Sequence, residues 1–109
     1  HAGDARARAM ALLAEPIDAA AAERFGLVWK VFDDDQLMPQ ARLLAARLAG
    51  QPPRAIALIK RALNESPAHE LPAQLELEAM LQSEAGRTED FAEGVAAFLQ
   101  RRAPVFRGR

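Results

Sequence analysis

Thr88-Glu89-Asp90-Phe91-Ala92-Glu93-Gly94-Val95-Ala96-Ala97-Phe98-Leu99-Gln100-Arg101-Arg102-Ala103-Pro104-Val105-Phe106 reads as one capped helix with a basic tip. Thr88 is an N-cap residue whose hydroxyl can accept an orphan N–H of the first turn, and Glu89 and Asp90 put negative charge where the helix dipole is positive. Arg101 and Arg102 are expected in the last turn, and Pro104 stops the helix. Phe91, Val95, Phe98 and Leu99 follow i, i+4, i+7, i+8 spacing, which lays one apolar stripe along it. Phe98 and Arg101, three residues apart, share an edge of that stripe. An aromatic ring beside a guanidinium at a helix end suits a planar, phosphorylated ligand.

Working back from that segment, nearly every stretch is helical. Ala, Leu and Met dominate Asp4 to Ala14, and Glu15-Pro16 ends that helix because a residue before proline avoids the helical region. Asp18 caps Ala19 to Phe25, and Gly26 is a left-handed stop. Leu27-Val28-Trp29-Lys30-Val31-Phe32 is the only β-branched and aromatic run with alternation, so the chain holds at most one short extended segment, which cannot form a sheet alone. Asp33-Asp34-Asp35 reads as the cap of a long helix, with Leu37, Met38, Ala41, Leu44, Ala45 and Leu48 at helical spacing up to Gly50. Pro52-Pro53 opens a further helix lined by Ile56, Ile59 and Leu63 to about Ser66, where Pro67 ends it. Leu71, Leu75, Glu78 and Leu81 mark another from about Glu70 to Ala85, with acids outward and Gly86 behind it. The expected fold is all-α.

Composition narrows the function. Half of the 109 residues are hydrophobic, so one domain or one lobe of a larger protein can be built. No apolar run approaches the ~20 residues of a membrane span and no secretory signal is visible, which leaves a cytoplasmic protein as the expectation. The absence of cysteine excludes thiol chemistry and disulfides, and two isolated histidines, His1 and His69, argue against a metal site. The formal charge of −1 is uneven: Glu65 to Glu93 holds eight acids against Arg87, whereas only Arg101, Arg102, Arg107 and Arg109 carry charge after it. Four bases can meet one phosphorylated ligand, but no broad basic surface for nucleic acid is present. The chain begins at His1 and runs almost at once into a helix, as though cut from a longer protein.

Four segments in order carry a resemblance. Ala21-Ala22-Glu23-Arg24-Phe25-Gly26-Leu27-Val28-Trp29-Lys30-Val31, Leu58-Ile59-Lys60-Arg61-Ala62-Leu63-Asn64, Leu75-Glu76-Leu77-Glu78 and Glu89 to Phe106 resemble the C-terminal part of the crotonase superfamily, the enoyl-CoA hydratases and isomerases. Gly26 to Val31 and Leu81 to Asp90 look most like its subfamily of ring-epoxide (1,2-epoxyphenylacetyl-CoA) isomerases of phenylacetate degradation. The resemblance implies that residues 1–109 form the helical, substrate-covering and trimerisation region of an enzyme acting on acyl-CoA thioesters. It also implies that acyl-CoA is a substrate rather than a resident cofactor, and that the intact enzyme is a trimer or a dimer of trimers. The family holds the thioester oxygen on two backbone N–H groups as it becomes an enolate, while carboxylates move protons. Both belong to an N-terminal spiral of ββα turns that this chain lacks, so it implies no catalytic residue here and an inactive isolated chain. Glu76, Glu78 and Glu93 then read as surface or helix-pairing charges. By the same resemblance Phe98 packs by the CoA adenine and Arg101, usually lysine, meets the CoA phosphates.

Two other readings compete. Ala19 to Phe25 with Gly26 and the following apolar residues imitates a helix-turn-helix DNA binder, but Lys30 is the only base in the segment that follows and Asp33-Asp34-Asp35 would face phosphate. A non-catalytic helical oligomerisation module fits the apolar stripes as well.

Overall fold

The computed structural model describes residues 2–109; His1 lies outside the described residues. Six α-helices follow one another: α1 (Asp4–Leu13), α2 (Ala19–Arg24), α3 (Asp34–Ala49), α4 (Pro53–Glu65), α5 (Leu71–Ala85) and α6 (Glu89–Gln100), with a 3-10 turn at Ser66–Ala68. No strand occurs among the described residues. Leu27 to Phe32 forms bends and irregular chain, because no second strand offers it a ladder. Among the described residues no helix is long and apolar enough to cross a membrane.

The chain divides into two units, His1–Leu43 and Leu44–Arg109, and α3 runs from the first into the second. In the first unit α1 stops at Ala14, which takes a left-handed conformation (φ 52°) and donates its N–H to the Met10 carbonyl. The expected stop at Glu15-Pro16 therefore comes a residue or two late. Asp18 caps α2 by accepting the Ala21 N–H at 2.6 Å, and Gly26 takes φ 75°, both as the residue types require. With Phe25 and Gly26 in a turn and no helix before Asp34, a helix-turn-helix with its 3–4-residue turn is not formed. Asp33 opens α3 through its carbonyl, which accepts the Gln36 and Leu37 N–H groups.

In the second unit α4 packs on α5, joined by Arg54 to Glu84 at 2.8 Å and by the Gln74 amide donating to the Ala62 carbonyl at 3.2 Å. His69 is tied to Gln74 at 3.1 Å. Leu77 and Leu81 are the buried apolar residues of α5, each worth roughly 1.5–3 kcal/mol. Of the expected stripe Leu81 is buried, whereas Leu71 and Leu75 remain exposed, a correction to the expected register: Leu77, four residues before Leu81, is the residue under cover with it. Gly86 follows the helix as expected and takes a helical φ of −64°. Thr88 joins the last two helices: its hydroxyl donates to the Ala85 carbonyl at 2.7 Å and accepts the Phe91 N–H at 3.1 Å, so one side chain satisfies groups at two helix ends.

Candidate functional site

The site grows from α6 and the chain that doubles back from its end. Asp90, Gly94 and Ala97 share one face at i, i+4, i+7; Asp90 and Ala97 are buried, and a side chain at Gly94 would sit in contact with the Phe106 ring. The large apolar residues of the same helix are left open to solvent. Phe91 and Val95 are half-exposed, Leu99 is 74% exposed and Phe98 is 82% exposed. With Pro52 before α4, Ala55 of α4 and Phe106 they line an open, mostly apolar groove of about 380 Å3. The stripe foreseen in the sequence is therefore real, but it is a groove wall and not a core seam.

The helix ends differently from the expectation. Gln100 is its last residue, and Arg101 turns left-handed at φ 52°, ψ 40°. The Arg101 N–H donates to the Phe98 carbonyl at 3.2 Å and the Arg102 N–H to the Ala97 carbonyl at 3.0 Å, the paired bonds of a Schellman end. Arg101 and Arg102 thus lie beyond the last turn, and the chain reverses three residues before Pro104. A non-glycine residue in that region costs about 1–2 kcal/mol, so surrounding contacts must hold it.

Carboxylates of α6 supply those contacts. Glu93 takes a two-point pair from Arg102, at 2.6 and 2.8 Å, and also accepts the Val105 N–H at 2.8 Å. Asp90, 3% exposed, accepts the Arg107 N–H at 2.6 Å and the Gly108 N–H at 2.8 Å, while its own N–H donates to the Arg109 carbonyl at 3.0 Å. Arg109 reaches Glu89 at 3.1 Å across an exposed surface. Gly108, at φ 80°, lies so near Pro53 that any Cβ would come within 2.9 Å of the proline ring. Residues 102–109 are thereby strapped along α6. Glu93 is thus corrected from a surface or helix-pairing charge to a buckle for the tail, while Glu76 and Glu78 are exposed as expected. Neither buckle was named from the sequence; their signal is two acids three apart on a helix followed by a basic tail.

Of the four terminal arginines, Arg102 and Arg109 are thus engaged by acids of α6. Arg101 and Arg107 pair with no acid among the described residues. Phe98 and Arg101 are brought to the same end of α6, Phe98 on the groove rim and Arg101 in the turn beside it, with no cation–π contact between them among the described residues.

The buckle has a pH signature. The Arg102 guanidinium, then the Val105 amide, pull the Glu93 carboxyl from its ordinary 4.5 down to about 2. A carboxyl lowered on folding stabilises the fold above its unfolded value and loses that contribution as pH falls through the folded one. The stability gap between the wild type and Glu93→Gln is therefore expected to shrink as pH falls from about 5 to about 2. Urea titrations at stepped pH read it directly; a gap independent of pH in that window would contradict the assignment.

A model of the enoyl-CoA hydratase/isomerase family matches residues 1–109. The chain is 44% identical over 108 residues to the 1,2-epoxyphenylacetyl-CoA isomerase of Escherichia coli, covering 99% of this chain and 41% of that protein. It is 40% identical over 107 residues to the 2,3-dehydroadipyl-CoA hydratase of the same organism, covering 98% and 42%. A solved chain from Mycobacterium abscessus, assigned as an enoyl-CoA hydratase/isomerase, superposes with a TM-score of 0.91 at 40% identity over 98% of this chain and 41% of its own length. The chain spans about two fifths of the relatives it matches.

Proposed function

The chain belongs to the enoyl-CoA hydratase/isomerase family, and we propose that it is the C-terminal helical region of a cytoplasmic enzyme that converts acyl-CoA thioesters through an enolate. In this reading it covers the bound ligand and holds the nucleotide end of CoA, while the oxyanion hole and proton-transferring carboxylates lie outside residues 1–109. Acyl-CoA is the substrate, and no resident cofactor is invoked. Ring-epoxidised phenylacetyl-CoA is the proposed acyl group, supported by the likeness to the Escherichia coli isomerase; the comparable likeness to a hydratase makes hydration the second chemistry. The exposed apolar faces of α4, α5 and α6 fit a region covered by the rest of an enzyme and by neighbouring subunits, in a trimer or a dimer of trimers.

The observation that carries the ligand assignment is the exposed Phe98 at the rim of an apolar groove, with the acid-free Arg101 in the turn that follows. The ring offers a stacking face to adenine, and the guanidinium offers charge-assisted bonds to phosphate. One such bond contributes roughly 1.5–3 kcal/mol, so Arg101→Ala is expected to weaken CoA binding by about tenfold or somewhat more. Alanine tolerates the left-handed turn no better and no worse than arginine, which isolates the charge. Calorimetry on the intact enzyme should show that loss for CoA and almost none for a pantetheine analogue lacking the nucleotide. Equal losses for both ligands would mean that Arg101 supports the fold and not the nucleotide.

A further inference from the structure

We propose that Glu93 is a positioning residue for ligand binding, fixing the left-handed turn from which Arg101 reaches the phosphates of the nucleotide. This rests on the reading of Arg101 as the phosphate contact. The two consecutive arginines have different work. Arg102 is used up: it bonds Glu93 twice, the Gln100 side chain at 2.8 Å and the Ala103 carbonyl at 3.1 Å. Arg101 pairs with no acid among the described residues, and its own conformation is one a non-glycine residue adopts only under constraint.

The constraint can be traced. The Schellman bonds tie Arg101 and Arg102 to the helix behind them, and a second anchor holds the chain on the far side of the turn. Glu93 supplies it by collecting Arg102 and the Val105 amide, on the far side of the turn, onto the middle of α6. Asp90 holds the chain only further on, at Arg107 and Gly108. Loss of Glu93 therefore loosens the reversal itself while the end of the tail stays attached, and the Arg101 guanidinium is no longer presented in one place. Removing the carboxylate also frees Arg102, an extra cation whose attraction for phosphate works in the opposite direction. The sign of the effect on CoA affinity therefore separates positioning from simple charge.

The test is a double-mutant cycle in the intact enzyme, read by calorimetry with CoA and with the pantetheine analogue. Glu93→Ala is expected to weaken CoA binding about three- to tenfold and to leave pantetheine binding unchanged. In an Arg101→Ala background the same substitution is expected to cost less than about twofold, because a residue acting through Arg101 has nothing left to position. If Glu93→Ala does not fold, Glu93→Gln, which keeps an acceptor for Val105, should show a smaller loss confined to CoA. Unchanged or tighter CoA binding, additive losses in the cycle, or equal losses for both ligands would overturn the proposal. Should Arg101→Ala alone keep full CoA affinity, the phosphate reading falls and takes this inference with it. A loss at Arg101→Ala with none at Glu93→Ala overturns this inference alone.

Discussion

Asp90→Ala is expected to detach the C-terminal strap from α6. The buried carboxylate accepts two backbone N–H groups, from Arg107 and Gly108, and no other side chain of the described residues bonds to those amides. Charge-assisted bonds of this kind contribute roughly 1.5–3 kcal/mol each, and an alanine would leave both amides without a partner if the tail stayed in place. Release of residues 106–109 into water, with Val105 still held by Glu93, costs less than holding two unsatisfied donors, so the loss appears as local opening rather than global unfolding. Amide exchange at Arg107 and Gly108 should rise toward that of free chain, with Phe106 leaving the groove wall, while α6 keeps its Thr88 cap. Asp90→Asn should be nearly as harmful, since its NH2 group would face one of the two donors. Undiminished protection at Arg107 and Gly108 in Asp90→Ala would show that the strap is held by something else.

The parts of this arrangement that were legible in the sequence are those set by local chemistry. Thr88 and Asp18 cap their helices with the side-chain bonds their residue types allow, Gly26 takes the positive φ foreseen for it, and Pro53 sits at the start of α4. Where long-range pairing competes with local preference, the sequence misleads. Arg101 and Arg102 look like the basic last turn of a helix, yet the pull of Glu93 on Arg102, nine residues away, accompanies a reversal two residues early. In α5 apolar residues occur on several faces, so Leu71 and Leu75 could not be told from Leu77 as the residue buried with Leu81. Phe98 lies near the end of α6, where its spacing puts it, but whether such a residue enters a core or stays on an open rim depends on what packs there, which no periodicity encodes. The family was legible because four segments occur in order along nearly the whole chain. The acyl group was not, because the chain spans about two fifths of its relatives and resembles an isomerase and a hydratase almost equally.

The largest expected effect is all or none: residues 1–109 by themselves should not turn over an acyl-CoA. An oxyanion-hole donor is worth about 10²–10³ in rate and a positioned acid or base about 10²–10⁴, and the proposed division of labour puts both outside this chain. Asp90, which lines the groove, and Glu93 on the same helix already have other duties, Asp90 with the tail amides and Glu93 with Arg102 and Val105. The most direct measurement is therefore an assay of the purified chain, shown to be helical by circular dichroism, against crotonyl-CoA and a 3-enoyl-CoA. Turnover indistinguishable from a buffer blank is the expected result; turnover above the blank would contradict a ligand-covering role and place catalytic groups within these helices.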